Sequence, residues 1–141
     1  MSDILTDTCA ALFTTLAAGT GLTALLAAGS ASIYDTAPSE NAAFPYVLYN
    51  HSGGGPESIT SASLENNLWF VRAYSSADTP ASAGSIFAQI DALLDRKSLT
   101  IGSRKTLYCW RETNVKARQL EPTARPVWVA GAYYRLRTSG T

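Results

Sequence analysis

The chain has 141 residues, eleven acidic and eleven basic side chains, and 46% hydrophobic residues. That length suits one domain with an ordinary core, because a chain of ~150 residues buries roughly 68–70% of its unfolded surface. A net charge of zero excludes a generally basic nucleic-acid binder, an acidic tail and a bulk attraction to anionic lipid.

Residues 3–18 are predicted to be a helix, with Ile4, Leu5, Cys9, Leu12, Phe13 and Leu16 recurring at helical spacing. Ser2 or Asp3 suits its N-cap, and Gly19 its stop. No Lys or Arg precedes the apolar run, so the segment does not read as a secretory signal. Thr and Gly interrupt every candidate span short of the ~18 apolar residues that a membrane helix needs. The expectation is therefore a soluble protein made inside the cell, with no membrane partner. A shorter helical turn follows at 21–28, and Ser32 to Asp35 leads into a polar loop containing Pro38.

Phe44 to Tyr49 reads as the first strand, with Pro45 at its start, where no ladder donor is required. Residues 52–63 are rich in Gly and Ser and read as a mobile connection. A second strand is predicted from Leu64 to Tyr74. Thr79 and Pro80 then open a second main helix over 80–96, whose buried face is Ile86, Phe87, Ile90, Leu93 and Leu94. Leu99 to Ile101 is extended. A third strand is expected at 104–113, a polar loop at 114–125, and a fourth strand at 127–137. The fold expected is α+β: a four-stranded, mainly antiparallel sheet with two main helices on one face, forming one domain over 1–141.

Two helices cover roughly one face of such a sheet, and the other face should then look polar. It does not. Leu68, Phe70 and Tyr74 alternate with Trp69, Val71 and Ala73; Val127, Val129 and Tyr133 alternate with Trp128, Ala130, Tyr134 and Leu136. Either the loops 52–63 and 114–125 fold back over the second face, or another subunit covers it. The residues singled out for such a contact are Trp69, Val71, Trp128, Tyr134, Arg135 and Arg137.

The charges are also unevenly placed. Residues 1–95 hold nine acidic side chains and one basic one, Arg72, whereas residues 96–141 hold ten basic and two acidic ones. The halves either pair within the fold or give a subunit with opposite charge on its two flanks. The second arrangement favours head-to-tail contacts between copies.

Little in the sequence points to catalysis. His51 is the sole histidine, and with Cys9 and Cys109 it offers no zinc-ligand spacing. Both cysteines read as buried, reduced thiols. Asp91 and Asp95, four apart on a helix, read as a solvated acidic edge. Gly53-Gly54-Gly55 lacks the Lys-Ser or Lys-Thr of a phosphate loop. The basic side chains Arg104, Lys105, Arg111, Lys116, Arg118, Arg125, Arg135 and Arg137, with Tyr108 and Trp110 among them, allow non-specific DNA contact but no sequence reading. No enzyme, metal or cofactor is expected.

Several short motifs follow one another in a recognisable order: Leu12-Phe13-Thr14-Thr15-Leu16, Leu22 to Leu26, Ile33-Tyr34-Asp35-Thr36-Ala37-Pro38, and Phe44-Pro45-Tyr46-Val47-Leu48. The helix Ile86–Leu94 and the closing Tyr134-Arg135-Leu136-Arg137 complete it. In this the chain resembles the tail completion, or tail terminator, proteins of long-tailed bacteriophages and phage-like gene transfer particles. The resemblance implies a hexameric ring at the head-proximal end of the tail tube. Such a ring halts tube polymerisation and presents a surface for head attachment. The implied partners are further copies of the chain, the major tail tube protein and a head connector or neck protein, with DNA passing non-specifically through the lumen. It also implies a place in the tail–neck region of the virion, after synthesis in the host bacterial cytoplasm. It brings no catalytic residues. The glycine-rich stretch Gly53, Gly54, Gly55, Pro56 and Glu57 departs from it and is read as a lumen or docking loop. Two other readings stand beside it: a neck component that joins head to tail, and a small-ligand-binding α+β domain anchored by His51.

Overall fold

Helix α1 (Ile4–Ala17) is held by one row of side chains spaced four apart. Thr8, Leu12 and Leu16 are buried, and the Thr8 hydroxyl donates to the Ile4 carbonyl at 2.7 Å, which is how a threonine sits in that row. The helix is turned relative to the predicted stripe: Leu5 and Phe13 are exposed, and Ala11 takes the inner position instead. The computed structural model describes residues 4–40, 42–59, 62–77, 79–102, 105–120 and 126–139, so the cap expected at Ser2 or Asp3 lies outside it. A four-residue helix α2 (Thr20–Thr23) follows and buries Leu22; Leu26 is buried beyond it. Helix α3 (Ala81–Leu94) begins one residue later than expected. Pro80 stands at its N-cap without a side-chain cap, and Ala83, Ile86, Phe87, Ile90 and Leu94 form its inner face.

The sheet has five strands rather than four: β1 (Ile33–Asp35), β2 (Tyr46–Ile59), β3 (Ala62–Ser75), β4 (Lys105–Leu120) and β5 (Pro126–Ser139). Their order is β1-β2-β3-β5-β4, with β1 parallel to β2 and every other pair antiparallel. Ile33 to Asp35, expected as the entry to a loop, pairs instead with Val47 to Tyr49.

The two expected loops are largely strand. Residues 52–59 continue β2 against β3, past an irregularity between His51 and Gly53. Residues 114–120 continue β4 against β5. The described parts of both, 52–59 and 114–120, are therefore strand and do not fold back over the sheet, while 60–61 and 121–125 lie outside the described residues. Their sequences hid this for different reasons. Consecutive glycines have no side chains to alternate. Arg111 to Asn114 and Lys116 are all exposed, so β4 shows no inner face there to read. The two hairpins turn at opposite ends of the sheet, because β2 and β5 run one way and β3 and β4 the other.

All the helices pack on one face. There Val47, Tyr49, Trp69, Val71, Ala73, Cys109, Ala130, Ala132, Tyr134 and Leu136 meet Leu12, Leu16, Leu22, Ile86, Ile90 and Leu94. Ala130 and Ala132 leave the room in which α3 approaches the sheet. Leu99 and Ile101 close the end of this core, and the Thr106 hydroxyl ties the segment down through the Leu99 carbonyl at 2.6 Å. Among the described residues no helix is long and apolar enough to cross a membrane.

Candidate assembly interface

Strand alternation decides which side chains are free for contact. Trp69, Val71 and Tyr134 were singled out as contact residues, and the structure places all three in the core at 0–1% exposure. Trp128 is partly buried against the same core. The correction has a plain cause: both faces of β3 and β5 carry apolar residues, and only the position of α3 tells which face is inside. Arg135 and Arg137 point to the opposite, open face, since they alternate with the buried Tyr134, Leu136 and Thr138.

That open face is built of aromatic rings and arginines. Phe70 stacks on Tyr133 with ring centroids 4.5 Å apart, and the Arg72 guanidinium lies 4.3 Å from the Phe70 centroid. Arg72 also donates to the Tyr74 hydroxyl at 2.7 Å and to the Asn50 amide oxygen. Tyr46 stacks on Tyr74 at 5.1 Å, with Tyr34 edge-on to Tyr46. Nearer β4, Arg135 donates to Glu112 at 2.7 Å and to Asn66 at 2.9 Å. Tyr108 and Trp110 form a pair 4.3 Å apart at the margin. Cross-strand contacts of this type hold the rings in place and bury Tyr46, Leu48 and Val129 on this face, leaving Phe70, Tyr74 and Tyr133 partly exposed.

Asp91 and Asp95, expected as a solvated edge, instead clamp α3 to the sheet. One Asp91 carboxylate oxygen accepts from the Tyr134 hydroxyl and the other from Arg111, both at 2.8 Å; Asp95 accepts from the Arg111 backbone N–H at 2.9 Å. Burial and the neighbouring Asp91 carboxylate push the Tyr134 hydroxyl well above its ordinary range. Burial also raises the Cys109 thiol, to about 12, so it stays protonated and unreactive. Asp91→Ala is expected to cost about 1–3 kcal/mol in urea unfolding, because it strands a buried tyrosine hydroxyl. Tyr134→Phe, which removes donor and penalty together, should cost less.

The glycine-rich segment is strand, not loop. Gly54 has φ +96°, and a Cβ there would meet the Asn66 carbonyl oxygen at 2.2 Å, so β3 passes directly against it. Gly53 and Gly55 face open space. Pro56 continues the strand, while the side chain of Glu57 lies outside the described residues. His51 reaches Asn67 at 2.9 Å and stands edge-on to Trp69, so it is engaged within the fold. Among the described residues no three His, Cys, Asp or Glu side chains gather as a metal site.

The charge halves are only partly separated across the sheet, since Asp91 and Asp95 bond Arg111 at the β4 edge and Arg135 and Arg137 lie on the interior strand β5. Asp35 and Glu40 lie beside β1 and β2, while Arg111 and Lys116 lie on β4, the other edge strand, which also carries Lys105 and Arg118. Within the subunit the halves meet at the Arg111–Asp91 pair.

A search among curated proteins gives no match. Among solved structures, the fold matches a chain of the virion of a native gene transfer agent particle, with TM-score 0.81 and 18% identity, covering 99% of this chain and 100% of that one. At that identity the likeness establishes the fold. Residues 10–129 match the family described as tail completion protein gp17, which takes in both layers of the fold and four of the five strands entire. The chain therefore belongs to the tail completion protein family, and its role is structural, in the assembly of a phage-type tail.

Proposed function

We propose that the chain forms a closed ring, six copies in the simplest case, at the head-proximal end of a tail tube. There it stops tube growth and offers the surface to which the head attaches. The observation that carries this reading is the match to the tail completion family over residues 10–129, supported by the uneven charge of the chain, −8 over 1–95 and +8 over 96–141. A subunit of that kind joins head to tail, and head-to-tail contacts close into rings when the rotation allows. Its partners are then its own copies, the tube protein on one rim and a connector protein on the other. Its place is the neck of the particle.

A virus lacking the gene tests the role: overlong tails without heads support a terminator. Normal-length tails detached from heads point instead to a joining component. The charge argument has its own check. Rings followed by light scattering should dissociate as salt rises from about 0.05 to about 0.5 M, because the Debye length shrinks well below 10 Å over that range. Assembly indifferent to salt would remove the electrostatic contribution.

A further inference from the structure

We propose that the second half of β4 in one copy pairs with β1 of a second copy, joining the two sheets through Asn114 to Lys116 and Ile33 to Asp35. This rests on the ring reading and names its joint.

The outer edge of β4 is already used in its first half. The Arg96 N–H donates to the Cys109 carbonyl at 2.7 Å, and the Arg111 N–H to the Asp95 carboxylate at 2.9 Å. Cys109 and Arg111 therefore turn their backbone groups outward. One extra residue, Glu112, then shifts the alternation, because Arg111 is level with Tyr134 and Thr113 with Tyr133. Past it, Asn114 and Lys116 are the residues that turn outward, and among the described residues their N–H and C=O groups have no partner there.

β1 is the opposite edge of the sheet. The Thr36 N–H donates to the Tyr49 carbonyl at 2.8 Å, so Thr36 and Tyr34 face β2 while Ile33 and Asp35 turn outward. Two of their four outward groups are engaged. The Ile33 N–H donates to the Ser30 carbonyl, and the Asp35 carbonyl accepts from the Ala37 N–H at 2.7 Å. Among the described residues the Ile33 carbonyl and the Asp35 N–H are left open.

The register across the sheet brings the open groups together. Asn114 is level with Ala132, Val71, Tyr49 and Asp35; Lys116 is level with Ala130, Ala73, Val47 and Ile33. A second copy set beside the first without stagger places its Asp35 opposite Asn114 and its Ile33 opposite Lys116. Its Asp35 N–H then meets the Asn114 carbonyl, and the Lys116 N–H meets its Ile33 carbonyl. Both open groups of β1 are used and neither engaged one is needed. Direction agrees: β1 runs with β2, and β4 runs against it, so the new pair is antiparallel. Side chains fall on matching faces, with Val115 beside Tyr34 on the open face and Lys116 diagonal to Asp35 on the other. Lys116 and Asp35 are both exposed, and neither forms an ion pair among the described residues, so their charges are available to each other. Thr36, at φ 67°, turns the second chain away before it reaches the level of Arg111, where Asp95 of the first copy already sits.

The test is cross-linking. Tyr34 and Val115 would form the pair flanked by the two new bonds, with Cα atoms about 4.5 Å apart, within disulfide reach. The full chain carrying both Tyr34→Cys and Val115→Cys should give a ladder of covalent multimers under an added oxidant. Each single variant, which keeps native Cys9 and Cys109, should not. Hydrogen exchange on the unaltered chain provides a second readout: the amides of Asp35 and Lys116 should slow together on assembly. Lys116→Pro removes a donor that points away from the subunit's own sheet, so it should leave the fold intact and weaken self-association about tenfold or more. A ladder from Tyr34→Cys with Ala117→Cys in place of Val115→Cys overturns the register. Rings that form by light scattering with no ladder and unchanged exchange at both amides overturn the joint and leave the ring. Slowing at Lys116 only when tail tubes are added assigns that edge to the tube protein and overturns the joint too. A chain that stays monomeric alone and on tails overturns the ring itself.

Discussion

Replacing Gly131 with alanine is expected to destabilise the subunit by about 2–3 kcal/mol, read as a lower urea midpoint with an unchanged slope. Gly131 lies in β5 directly opposite Arg72 of β3. A Cβ on it would stand 2.4 Å from the Val71 carbonyl oxygen and 2.5–2.6 Å from the Cβ and Cα of Arg72. These are not the ends of flexible chains. The central strand pair must spread to admit one methyl, and Arg72 must leave its seat over Phe70. Gly131→Val should cost more than alanine. The same alanine at Gly53 should cost far less, since nothing stands within 4 Å of the added atom. A Gly131→Ala protein as stable as the parent would show that the sheet tolerates a wider gap than its close packing implies.

Trp69→Ala carries the second large effect, an expected loss of about 3–5 kcal/mol. Set against total stabilities of about 5–15 kcal/mol, this threatens folding outright. Trp69 is 1% exposed at the middle of β3, between Tyr49 and the edge-on His51. Its indole N–H finds no hydrogen-bond partner among the described residues. Its removal therefore breaks no hydrogen bond, and the cost is the cavity and the lost contacts. Trp69→Phe keeps an aromatic ring and discards an unpaired donor, so it should retain most of the stability. Equal damage from both variants would mean that the indole N–H has a partner after all. Cys109 gives a convenient report, since its buried thiol should react with a disulfide reagent only as the core opens.

The fate of Trp69 shows where sequence reading stops. The helices α1 and α3, the hairpin order and the apolar content of both sheet faces are legible, because each rests on local periodicity. The choice of inner face is not local. Trp69 and Phe70 are equally apolar neighbours, and only α3, anchored through Asp91 to Tyr134 and Arg111, settles that Trp69 is inside. The strand character of Gly53 to Gly55 is not legible in the sequence for a related reason. Its support comes from Asn66 and Asn67 on the facing strand, not from anything in its own residues. The charge asymmetry was visible as two halves of the sequence. Where those charges meet depends on the order β1-β2-β3-β5-β4, which leaves β4 outermost and brings its Arg111 to Asp91 of α3 and to Asp95 at the C-cap of that helix.

One consequence follows from the two hairpins turning at opposite ends of the sheet. One end of the sheet holds the β2–β3 hairpin with the start of β4 and the end of β5; the other holds β1, the start of β2 and the β4–β5 hairpin. Copies arranged side by side with strands aligned would thus build an object with a north and a south of unlike chemistry. If the copies close into the proposed ring, such an object would present different residues to the partners above and below it.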